Sequence, residues 1–87
     1  MVAYPKIQSV SPLSGKRLRV TFVTGTTKLY DCTPLLEEES FIPLKDECFF
    51  RHAHADHAGY GVVWNDDIDL SESEVWIHGT TEQGNAG

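Results

Sequence analysis

The sequence predicts an α+β fold: one small domain over residues 1–79, with an antiparallel sheet of about four to five short strands and one or two short helices, then a flexible C-terminal tail over 80–87. Three observations lead there. Leu18, Val20 and Phe22 alternate with Arg17, Arg19 and Thr21, the period-2 pattern of a half-buried strand. Helix-start signals stand at Thr33-Pro34 and at Ser71 followed by Glu74. A chain of 87 residues that is 40% hydrophobic and 23% charged is a folded domain rather than a disordered segment, yet has material for only one small core.

The amino end, Met1-Val2-Ala3-Tyr4-Pro5-Lys6, lacks the apolar centre of a signal peptide, and no apolar run approaches the roughly 18 residues of a membrane span. A cytoplasmic protein without a membrane partner is expected. The first strand is expected over Lys6 to Val10, with Ile7 or Val10 inward. The second carries the Leu18-Val20-Phe22 stripe and turns at Thr24-Gly25-Thr26, where Gly25 can take a positive φ. The return strand is expected over Thr27 to Thr33. A register that opposes Val20 to Tyr30 and Leu18 to Cys32 keeps the apolar groups together and sets Arg19 across from Asp31. A two-residue loop would instead bring Asp31 beside Leu18 on the core face.

Thr33-Pro34-Leu35-Leu36-Glu37-Glu38 reads as a cap, a proline at the first helical position and early acids, hence a short helical turn. Phe41, Ile42 and Leu44 are expected to anchor a loop around Pro43 in the core. Asp46 can cap a further turn over Glu47 to Phe50. A strand through Ala53 and Ala55 follows, alanines inward and His52, His54 and Asp56 outward. Gly59-Tyr60-Gly61 turns the chain, and Val62-Val63-Trp64 pairs back. Asn65 to Asp69 reads as an acidic loop in which Asp69 forms the turn. Leu70 stands where a calcium loop needs glycine, and Trp76 where it needs glutamate. Ser71-Glu72-Ser73-Glu74 is a capping box that opens a short helix through Val75 and Trp76, stopped by Gly79. Cys32 and Cys48 form no Cys-x-x-Cys pair and are expected to be free.

A net charge of −6 opposes nonspecific binding to a phosphate backbone, so nucleic acid is an unexpected partner. Lys16, Arg17 and Arg19, with Arg51, are the local exception, and a weak nucleic-acid-binding regulator is one alternative function.

His52-Ala53-His54-Ala55-Asp56-His57, with Gly59 close behind, resembles the His-x-His-x-Asp-His signature of the metallo-β-lactamase superfamily. Imidazole is a common zinc donor, and a hydrolytic zinc site uses about three protein ligands with water at the fourth position. His52, His54, Asp56 and His57 are therefore the candidate metal ligands, with zinc as the candidate ion. The superfamily's large two-sheet sandwich does not fit this length, however. The chain has four histidines, with only His78 outside the cluster and none before His52. Metal binding is the alternative reading; exposed side chains on a strand are the expected one.

The run Tyr4-Pro5-x-Ile7-x-Ser9-Val10, Leu18-x-Val20-x-Phe22 with Gly25, Tyr30-Asp31-x-x-Pro34-Leu35-Leu36, Leu44-Lys45-Asp46, Phe50, Gly59-Tyr60-Gly61-Val62-x-Trp64-Asn65-Asp66 and Ile68-Asp69-Leu70-Ser71-Glu72-x-Glu74 with Gly79 resembles a small bacterial family of unknown function, number 2442 among such domains. The likeness covers residues 4–79. It implies an α+β domain with an antiparallel sheet and short helices, without an established activity. It also implies variable polar residues at positions 52 and 54. Some members carry an added helix-turn-helix region, and some are encoded beside another small protein in a toxin-antitoxin-like arrangement. These 87 residues contain no such region, so operator binding is not expected.

The chain holds no Gly-x-Ser-x-Gly, no phosphate loop and no paired acids in a catalytic setting. The expected function is a noncatalytic protein-interaction or regulatory module, possessing no cofactor and docking a protein partner or a second copy through a sheet edge or exposed aromatic residues.

Overall fold

The computed structural model describes residues 3–82. Its strands form two antiparallel sheets, and short helices close their ends, which is the α+β architecture expected. In chain order the strands are β1 (Ile7–Leu13), β2 (Arg17–Phe22), β3 (Thr27–Asp31), β4 (His54–Ala55), β5 (Gly61–Asn65), β6 (Ile68–Ser71) and β7 (Thr80–Thr81). Two 3₁₀ helices, Thr33–Glu37 and Glu39–Lys45, precede α1 (Glu47–Phe50), and α2 (Glu72–His78) follows β6. The first sheet has the order β1-β2-β3-β7 and the second β4-β5-β6. None of the described helices is long and apolar enough to cross a membrane.

The β2 stripe is buried as its alternation requires: Leu18, Val20 and Phe22 are fully enclosed. Its register on β3 differs from the expected one. Leu18 opposes Tyr30, Val20 opposes Lys28 and Arg17 opposes Asp31. The loop is Val23-Thr24-Gly25, closed by Gly25 N–H on Phe22 O and Phe22 N–H on Thr26 O, both 2.8 Å, with Gly25 at φ +93°. Turning one residue early moves every β3 partner by two positions, which leaves the same side chains on the core face. Arg19 therefore faces Leu29 rather than Asp31 and pairs with Glu82.

Other boundaries also shift. β1 runs on through Pro12 to Leu13; as an edge of its sheet it tolerates a residue without an N–H. β3 ends at Asp31, whose side chain accepts from Thr33 N–H at 2.9 Å, so the turn after it is fixed by Asp31 and not by a Thr33 cap. Leu44 is fully buried, whereas Ile42 is exposed and anchors nothing. Asp46 does cap α1, accepting from Cys48 N–H at 2.9 Å and Phe49 N–H at 3.4 Å. The expected acidic loop is a tight turn: Asn65 accepts from Asp67 N–H and Ile68 N–H, and Asp69 sits in β6 opposite Val63. At α2, Ser71 accepts from Glu74 N–H at 3.1 Å, but the Glu74 carboxylate turns away, leaving half a capping box. The expected tail begins as a strand, since Thr80 and Thr81 pair with Leu29 and Lys28. Residues 83–87 of that tail lie outside the described residues.

A single hydrophobic core joins both sheets. Trp64 is buried in it, with the indole N–H donating to Phe50 O at 2.9 Å and its ring 6.1 Å from that of Phe50. Phe22 meets Trp76 of α2 edge to face at 5.0 Å, so α2 lies across the core face of the first sheet. The sheets are also tied by main chain: Ile7 N–H donates to Gly59 O at 2.8 Å.

Candidate functional site

The histidine segment does not bring its four candidate ligands together as one metal-ligand set. Only His54 and Ala55 are extended, while His52 lies in the turn that ends α1; Ala53 is buried and His52 and His54 are exposed as expected, with Ala55 and Asp56 half-buried. His52 packs near Phe49, ring centroids 6.5 Å apart. His54 Nδ1 lies 2.8 Å from His52 O, and because a carbonyl only accepts, that nitrogen carries the proton. Asp56 Oδ2 accepts from Ala58 N–H at 2.9 Å and Tyr60 N–H at 3.4 Å. Its carboxylate shapes the loop that brings Gly59, at φ +81°, against β1. His54, Asp56 and His57 line a shallow hollow of about 270 Å³. Among the described residues, no three His, Cys, Asp or Glu side chains are grouped to hold a metal ion.

The basic residues do not form a free stripe. Lys16 stands in the turn before β2 at φ 59°, and its ammonium meets Glu47 at 2.7 Å while lying 5.4 Å from the Phe50 ring. Arg51 also reaches Glu47, at 3.4 Å, and Arg19 bonds Glu82 through two nitrogens. Arg17 Nε donates to Ser14 O at 3.1 Å. Lys16 and Arg51 thus share the one Glu47 carboxylate and Arg19 pairs with Glu82, so these acids reduce, without cancelling, the positive charge a phosphate contact would use.

A different place gathers polar groups over a concave surface. β3 outruns β7, and the space beyond is walled by α2 and the first 3₁₀ helix, leaving a cleft of about 430 Å³. Leu29, Pro34, Leu35 and the Tyr30 ring give it apolar walls, and Asp31, Glu38, Glu74, His78 and Thr80 complete it. The sequence places Glu74 and His78 one helical turn apart, so both project from the same face of α2. Tyr30 OH donates to Glu74 Oε2 at 2.9 Å, and His78 Nδ1 lies 3.0 Å from the same oxygen. Burial, the Glu74 hydrogen bond and the Glu74 charge all push the Tyr30 phenol upward, so it stays a neutral donor. The Thr33 N–H holds the Asp31 carboxyl below its ordinary range, so it stays charged.

Sequence reasoning did not single out this cleft. Tyr30 read as core, Glu74 as a cap and His78 as a lone histidine. The i, i+4 spacing of Glu74 and His78 was the available signal, but the partner from β3 is 44 positions from Glu74 and comes from tertiary packing.

No curated protein and no solved structure matches the chain significantly. A family model described as a protein of unknown function, DUF2442, matches residues 7–79, a span that includes both sheets except β7, all of α2, the Gly59 loop and most of the cleft. The chain belongs to the DUF2442 family.

Proposed function

We propose that this domain is a noncatalytic interaction module that docks a protein partner at the cleft between β3 and α2. The observation that supports this most is the chemistry of the cleft's lining. It has apolar walls and charged edges, as a recognition site does, and Thr80 is its one aliphatic hydroxyl. Its buried hydroxyl, Tyr30, is held neutral and already donates to Glu74. Glu74 Oε2 is shared by the Tyr30 hydroxyl and His78, which suits a pair that orients groups for contact. The antitoxin-like pairing that the family resemblance implies is one form such a module could take.

Affinity purification of the tagged chain from its native source tests this reading. A protein retained in near-equimolar amount is expected. A strictly monomeric mass with no retained partner would overturn it.

A further inference from the structure

We infer that the cleft takes the arginine or lysine side chain of an extended partner segment laid along the open end of β3. This rests on the interaction-module reading and names the partner's chemistry.

The hydrogen bonds of β3 alternate in direction. Thr26 O and Cys32 N–H bond toward the β2 side, whereas Thr27 O accepts from Glu82 N–H on the other side. Alternation then turns the main-chain N–H and C=O of Asp31 away from β2. β7 covers only Lys28 and Leu29, so these two groups have no strand partner among the described residues. An extended segment can take them as a short added strand.

Charge selects the side chain. Asp31, Glu38 and Glu74 line the cleft, and no lysine or arginine does. The floor formed by Leu29, Pro34 and Leu35 suits the aliphatic stem of a long cationic residue, whose head would reach the carboxylates. A net charge of −6 also favours approach of a basic partner. A guanidinium gains further from paired hydrogen bonds to a carboxylate.

The test is an amide chemical-shift titration of the full chain with the peptide acetyl-Thr-Val-Arg-Val-Thr-amide and with its citrulline counterpart, which keeps the shape and removes the charge. Saturable shifts at Leu29–Asp31 and in α2 are expected for the arginine peptide, with the citrulline peptide about tenfold weaker or more. Equal binding of both peptides, shifts elsewhere or no saturable shift would overturn the inference. The combined variant Asp31→Asn, Glu38→Gln, Glu74→Gln removes three charges while leaving oxygen acceptors for Thr33 N–H and Tyr30 OH. With the native fold retained in its amide spectrum, it should lose the arginine preference and the partner retained from lysate. If that variant retains the partner undiminished, the module reading stands and this assignment of its site falls.

Discussion

Gly59→Ala tests how the two sheets are joined, because Gly25→Ala supplies an internal control. Both glycines adopt left-handed backbone, at φ +81° and +93°. A methyl group at Gly25 meets nothing within 4 Å, so that variant carries backbone strain alone, about 1–2 kcal/mol. At Gly59 a Cβ would lie 2.8 Å from Lys6 Cβ and 2.9 Å from Ile7 O, main chain and stem of the neighbouring strand. Relief requires moving β1 or the loop, which strains the packing and breaks the Ile7 N–H bond to Gly59 O. The strain, overlap and lost bond together come to about 4 kcal/mol. For a domain this size that is a fall in Tm of more than about 15 °C, against roughly 5–10 °C for Gly25→Ala. Thermal unfolding followed by tryptophan fluorescence gives both values. Equal losses in the two variants would refute the claim that close approach at Gly59 joins the sheets.

Three further outcomes are expected. Asp31 and Glu47 have carboxyls held below their ordinary range, by the Thr33 N–H and by the Lys16 ammonium respectively. Their contribution is present above an unfolded-state pKa of about 4 and is lost as pH falls through the lower folded values, so urea midpoints should fall in that acid window and fall less in Asp31→Asn/Glu47→Gln. With a thiol-specific disulfide reagent at neutral pH, exposed Cys48 should react at once, while Cys32, buried and with its thiol pushed up to about 12, should react only on unfolding. Zinc titration should reveal no tight stoichiometric site, and His52→Ala/His54→Ala should leave zinc affinity unchanged; a large loss would revive the ligand cluster.

Elements whose cause is local were legible in the sequence. The Leu18-Val20-Phe22 stripe and the Asp46 and Ser71 caps each follow from nearby residues and form as expected, while the turn expected at Gly59-Tyr60-Gly61 lies earlier, over residues 57–60, with Gly61 opening β5. The β2–β3 register was not fixed by pattern, since a shift of two positions preserves the buried face and only the turn at Val23-Thr24-Gly25 decides it. Asp69 looked like a turn residue because its charge hid the alternation of buried Ile68 and Leu70 on either side. The histidine segment was legible in part: exposed side chains were the expected reading and His52 and His54 are exposed, but the spacing did not disclose that α1 ends in a turn at His52, which leaves only His54 and Ala55 extended. The cleft was least legible, because strands and helices distant in sequence bring Tyr30, Glu38 and Glu74 together.

Hydrogen–deuterium exchange of the chain, free and bound to the partner retained from its native source, tests the docking site most directly. Added protection should fall on Leu29–Asp31, Pro34–Glu38 and α2, the segments that wall the cleft. Protection confined to His52–His57 or to another face, with the cleft segments exchanging as in the free chain, would contradict it.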